Sequence, residues 1–218
     1  MCKPVWKRGL PRQRPSGRKK IIAVPYSSCE SFDIGMKPKK PIEDNASKLR
    51  ELNDAIQATI KDRNKSPAHK EKWSEACREF HSSYDQQAFP GGLGESMQKL
   101  AKGDAATIES AVQFIEADPM FFRSGYIKEE ILKHLSRNPL NDDQKQRLRE
   151  IILERVRDTR TRREFRRYCR LAPIVNNSEF EAEITKLAGS SGTKPKHAQW
   201  VLDRIKQARA NSAKPQKK

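Results

Sequence analysis

The chain has no acidic residue before Glu30 and no lysine anywhere between Arg147 and Arg170. Its four cysteines, Cys2, Cys29, Cys77 and Cys169, stand far apart. No C-x-x-C pair or adjacent histidine pair accompanies them, which argues against a zinc site and against a dense disulfide framework. No run of 18 apolar residues occurs, so no segment reads as a membrane-spanning helix, and the first residues lack the apolar stretch of a secretory signal. Aromatic residues make up only 7%. With neither a basic motif interleaved with aromatics nor helix-turn-helix spacing, base-specific recognition is not indicated. The expectation is a soluble cytoplasmic protein with reduced thiols, or a nuclear or organellar one if the basic N-terminal segment is a targeting signal.

What is abundant is positive charge, and it is unevenly placed. The formal net charge is +17. Residues 1–41 carry 11 Lys and Arg against 2 acids, and residues 194–218 carry 8 against 1. The centre, 42–193, is nearly balanced at 26 against 25. Six prolines among the first 41 residues oppose a regular helix, so 1–41 reads as a disordered basic arm. Met36 offers an alternative start, and "IIAVPY" an extended segment able to dock. Residues 210–218 read as a short basic tail.

From residue 42 to 209 apolar residues recur at three-or-four spacing, with capping residues and glycine or proline between the runs. Leu49, Leu52, Ile56 and Ile60 share one stripe, and Trp73, Cys77, Phe80 and Tyr84 the next. Ser66, Asp104 and Asn141 begin helices, and boxes of the form S/T-x-x-E place further starts at Thr161 with Glu164 and Ser178 with Glu181. About nine helices result. Grouped from "FPGGLG" onward, hairpins start near 92, 125 and 162, a spacing of roughly 33–37 residues. In that spacing the chain resembles a short HEAT-like array of four hairpins and a capping helix. The resemblance implies an all-α fold, a short right-handed α-solenoid of stacked hairpins. An irregular helical bundle is the competing arrangement.

The segment "RLREIILERVRDTRTRREFRRYCRLA" holds ten arginines between Arg147 and Arg170. On a helical wheel Arg155 falls inside the apolar arc of Leu148, Ile151, Ile152 and Val156. A guanidinium there needs a carboxylate or carbonyl, so Arg155 is assigned a structural ion pair, like the buried arginine that ties neighbouring repeats in HEAT-like proteins. Arg147, Arg149 and Arg157 lie outside the arc, where Glu150 and Glu154 can pair with part of their charge. Farther on, Phe165, Tyr168, Cys169 and Ala172 face inward, and Arg163, Arg166, Arg167 and Arg170 occupy the opposite face. With Thr161 as cap, Arg162 and Arg163 would stand in the first helical turn, where the helix dipole disfavours cations. Planar guanidiniums beside free helix amides suit phosphate or carboxylate. Arg162, Arg163, Arg166, Arg167 and Arg170 are therefore the candidate binding residues.

Signals of catalysis are weak. Cys77, His81 and Asp85 lie at four-residue steps on one helix, a line that seldom assembles nucleophile, base and orienting group. "FPGGLGES" lacks the Gly-Lys-Ser/Thr ending of a phosphate loop and reads as a turn. His69, His134 and His197 read as surface or helix-end residues. No metal or other cofactor is indicated. The sequence thus supports a non-catalytic binding protein whose partner is nucleic-acid backbone, contacted without sequence specificity, or alternatively an adaptor docking an acidic protein through the same arginines.

Overall fold

A computed structural model describes residues 39–158, 162–190 and 194–213, and among these the chain is all-helical, with no strand. Residues 1–38 of the basic arm, with the "IIAVPY" segment, and Thr161 lie outside the described residues. Nine α-helices follow in order: α1 Lys39–Ile60, α2 Pro67–Ala88, α3 Leu93–Ala101, α4 Ala105–Ala117, α5 Ser124–Leu135, α6 Asp142–Arg157, α7 Phe165–Val175, α8 Ser178–Ala188 and α9 Lys194–Ser212. Helix α1 takes in the last three positions of the expected arm, with Pro41 in the first turn, where its missing N–H costs no helical bond. No described helix is long and apolar enough to cross a membrane.

Local chemistry sets most boundaries. Ser66 Oγ accepts from the His69 amide ahead of Pro67, and Asp104 accepts from Thr107. Asn141 and Gln144 satisfy each other reciprocally at the start of α6. The cap of α8 is one residue earlier than expected: Asn177, rather than Ser178, accepts from the Phe180 amide at 2.8 Å. "FPGGLG" forms a tight turn in which Gly91 and Gly92 take φ of 79° and 83°, values that glycine adopts without steric cost. Asp85 Oδ1 then accepts from the Gly94 amide at 3.0 Å. The carboxylate of the expected Cys77-His81-Asp85 line is thus spent on capping α3.

Packing runs both between consecutive helices, most extensively α1 with α2 and α8 with α9, and, from α3 onward, between each helix and the next but one. Helices α3, α5, α7 and α9 contact one another in series, as do α4, α6 and α8, and α1 packs against α4. Across these two rows the consecutive pairs α3 with α4, α4 with α5, α6 with α7 and α8 with α9 are in contact. The contact of α3 with α4 agrees with the hairpin expected near 92, but the later pairs run one helix out of step with the hairpins expected near 125 and 162. The core between the rows is formed by Phe89, Phe114, Ile115, Ile131, Leu135, Leu148 and Ile152, all nearly solvent-free. Helices α1 and α2 project from this body. No residue between Leu52 and Phe80 is buried, and in this stretch Arg63 lies over the Trp73 ring.

The inner face of α7, Phe165, Tyr168, Cys169, Leu171, Ala172 and Val175, is buried. Burial pushes the Cys169 thiol up to about 12, and only the thiolate is nucleophilic. Alkylation of the native protein at neutral pH, mapped by peptide mass, should therefore modify Cys169 roughly a hundredfold or more slowly than in the unfolded chain. Equal rates would show that α7 is not packed.

Candidate polyanion-binding face

The described arginines of the block divide into a set engaged by acids and carbonyls of the body, mostly half-buried, and a set on the outer face of α7. Helix α4 ends on Asp118, whose backbone is left-handed, with φ 48° and ψ 48°, a conformation that a short polar side chain tolerates better than most. Its carboxylate meets three cations: Lys128 Nζ at 2.5 Å, Arg155 Nη1 at 2.9 Å and Arg162 Nη1 at 2.6 Å. Arg162 also reaches Asp158 at 3.4 Å. Lys128 is 0% exposed, and Glu164, also buried, adds a third acid whose field reaches it. Gly125 allows α5 to approach that acid, because a Cβ there would lie 3.3 Å from Glu164 Oε2.

Burial alone would raise the Asp118 carboxyl, but Lys128, Arg155 and Arg162 outweigh it and hold the group below its ordinary value. Among the described residues Lys128 has Asp118 as its direct carboxylate partner and Arg162 close by, and burial pulls its ammonium below the usual lysine range. Arg155 thus stands in an ion pair with Asp118. Arg162, expected among the binding residues, is drawn into the same cluster and is only 18% exposed. Lys128 was not singled out from the sequence. It stands three and four residues from Ile131 and Leu132, the same in-arc signal that marked Arg155.

Three neighbouring arginines are also engaged away from the binding face. Arg147 joins α6 to α4 through Glu109 at 2.6 Å and Glu116 at 2.9 Å, not through Glu150 or Glu154. Arg149 donates to the Val175 carbonyl at the end of α7, at 2.8 Å. Arg157 lies 3.7 Å from Glu183.

Helix α7 begins at Phe165, so Arg162 and Arg163 precede it and do not stand in its first turn. Glu164 occupies the cap position without a side-chain capping bond. The expected site of free amides under these two arginines is therefore not formed. What remains outward is a guanidinium face on α7 and the turn before it. Arg163 and Arg167 share Glu129 of α5, at 3.1 Å and 3.2 Å, and the Arg163 guanidinium lies 4.0 Å from the centre of the Tyr126 ring. Arg166 and Arg170 are exposed and make no ion pair with the described residues. Next to Glu129, the Glu130 carboxylate is taken by Lys133 at 2.6 Å and His134 at 3.2 Å. Of the four guanidiniums, Arg163 and Arg167 are paired, both with Glu129, and the field of Arg167 also reaches Glu130.

Two of the remaining histidines are in contact where the sequence suggested no partner: His69 Nδ1 lies 2.7 Å from Ser66 Oγ, and His134 reaches Glu130. His197 is buried, with its ring centre 4.5 Å from that of Phe165. No three His, Cys, Asp or Glu side chains among the described residues are grouped to hold a metal ion. An open groove of about 890 Å³ between α8 and α9 is lined by Asn176, Glu181, Thr185, Lys186 and Arg209 among others. Its arginine is bound to Glu181, and none of the α7 arginines lines it. No protein-family model, curated protein or solved structure matches the chain.

Proposed function

We propose that this is a non-catalytic binding protein, a short right-handed α-solenoid of HEAT-like hairpins, that holds nucleic-acid backbone against the outer face of α7. The observation that carries the reading is the set Arg163, Arg166, Arg167 and Arg170 beside Glu129. The next-but-one helix packing supports the solenoid. Planar guanidiniums match phosphate oxygens two at a time, and the excess charge in 1–41 and 194–218 supplies long-range attraction.

The test is fluorescence anisotropy with a labelled oligonucleotide across a salt series, with polyglutamate as control. Binding should weaken steeply with salt, each neutralised phosphate adding roughly 0.9 to the logarithmic slope. The quadruple variant R163Q/R166Q/R167Q/R170Q should bind at least about tenfold more weakly, with a shallower slope. Its stability should fall by no more than about 1 kcal/mol, since the pairs it breaks at Glu129 are near the surface. Unchanged affinity would overturn the assignment of the face. Polyglutamate bound as tightly as the oligonucleotide would favour an acidic protein partner.

A further inference from the structure

Exposed large apolar side chains are few among the described residues, and they are not scattered. Met120 at 55%, Phe122 at 48% and Tyr126 at 55% fall within seven residues spanning the α4–α5 connection and the first turn of α5, with Ile174 the fourth. This connection is tied down from several sides. Arg50 of α1 donates to the Met120 carbonyl at 2.7 Å, and Tyr84 of α2 donates to the Phe122 carbonyl at 2.9 Å. The Phe121 amide donates to Ser124 Oγ, and its ring packs edge-on against Tyr84. Arg123 is fixed in a left-handed backbone with φ 68°. Phe121 is thereby turned inward, while Met120, whose Sδ accepts from Lys128 Nζ at 3.7 Å, and Phe122, whose ring meets Phe80 edge-on, stay half-exposed on a braced backbone.

The exposed rings stand beside guanidiniums. Arg163 lies over Tyr126, Arg123 lies 5.3 Å from the centre of the Phe122 ring, and Met120 Sδ is 3.8 Å from Arg162 Nη1. The apolar patch therefore continues directly into the arginine face. Arg163 is itself 58% exposed, so its outer plane is open above Tyr126.

We infer that the α4–α5 connection is a stacking platform and that the polyanion held on α7 is single-stranded nucleic acid. The inference rests on the proposed backbone-binding reading and adds to it the state of the bases. A duplex offers the arginines phosphates but gives outward-held rings nothing flat to cover. An acidic peptide matches the charge and leaves the same rings unmatched. An unpaired strand alternates phosphates with flat π-faces, and both aromatic rings and guanidinium planes stack on bases. A base over Arg163 would extend the Tyr126–Arg163 stack by one layer, and another would cover Phe122, while Arg166 and Arg170 take the neighbouring phosphates. RNA and DNA single strands share this chemistry.

The experiment uses the full chain and four labelled or competing probes at one salt concentration: oligo-U, oligo-dT, a duplex of equal length, and inorganic polyphosphate. Single strands should bind at least tenfold more tightly than the duplex, and the two single-strand probes separate RNA from DNA. The variant F122A/Y126A should lose tenfold or more on single strands and stay within twofold on duplex and polyphosphate. F122L/Y126L, which keeps apolar bulk without a ring, should behave like the alanine pair, and R166Q/R170Q should weaken all four probes. Helical melts of each variant, matched to the parent, show that the fold is intact, and Y126A alone serves if the Phe122 change unfolds the loop. Equal affinity for duplex and single strand, equal losses on all probes, or full rescue by leucine would overturn the stacking platform and leave the backbone reading standing. No binding to any of the four would overturn both. Polyglutamate, added as a fifth competitor and bound more tightly than every single strand, would replace the nucleic acid with an acidic protein.

Discussion

Replacement of Asp118 by alanine should cost about 3–5 kcal/mol of folding stability, the usual cost of stranding a buried charge by removing its partner. The carboxylate is the direct partner of Lys128, which has no solvent to turn to, and it holds Arg155 and Arg162 as well. Urea unfolding measures the loss. Arg155→Ala should cost roughly 1–2 kcal/mol, because Asp118 then keeps two cations. Adding Lys128→Met to the alanine variant should recover part of the deficit, since a long apolar side chain in that space needs no counter-charge. A loss below about 1 kcal/mol, typical of surface pairs, would show that the cluster is solvated. The pH dependence has a definite sign. The folded carboxyl titrates below its ordinary 3.8, so between the folded and unfolded values the unfolded chain binds more protons. The contribution of Asp118 is complete above about pH 4 and is lost as pH falls through the folded value. The alanine variant should show a correspondingly flatter acid limb.

Arg147→Ala should cost roughly 2–3 kcal/mol, in the range of charge-assisted hydrogen bonds. The guanidinium bridges Glu109 and Glu116, which lie two helical turns apart on α4, and is itself 13% exposed. The denaturation midpoint should drop without a change in slope. Arg147→Lys should rescue little, because one ammonium cannot span two carboxylates as a fork does. Neutralising the stranded acids with E109Q/E116Q should return part of the loss. If lysine restores full stability, the contact is a point-charge attraction and not a geometric clamp.

Most of the helices were legible in the chain because they are local. The stripe Leu148, Ile151, Ile152 and Val156 and the caps at Ser66, Asp104 and Asn141 depend on residues within a turn or two. The same local view placed Arg155 on a buried face but could not name Asp118, which lies 37 residues earlier. A wheel assigns faces and not partners. For Arg147 it offered Glu150 and Glu154, whereas the acids that bind it come from α4. The ridge was legible as a face, but its charge was overcounted: Arg162 is withdrawn by Asp118, and Glu129 sits between Arg163 and Arg167. The exposure of Phe122 and Tyr126 was not readable. A run such as "DPMFFRSGY" looks like core until the capped turn at Asp118 and the bonds from Arg50 and Tyr84 decide which rings turn outward.

The packing of each helix onto partners at most three places away in the chain bears on how the protein reaches this structure. Only modest loops must close before each helix finds its neighbours, and folding rates rise as contacts become more local. The acids at 109–129 leave the ribosome before the arginines that will bind them, so the body can add helices in order of synthesis. Asp118 and Lys128 are both in the chain before the two guanidiniums that complete their cluster, and the cluster can close only once Arg162 has emerged.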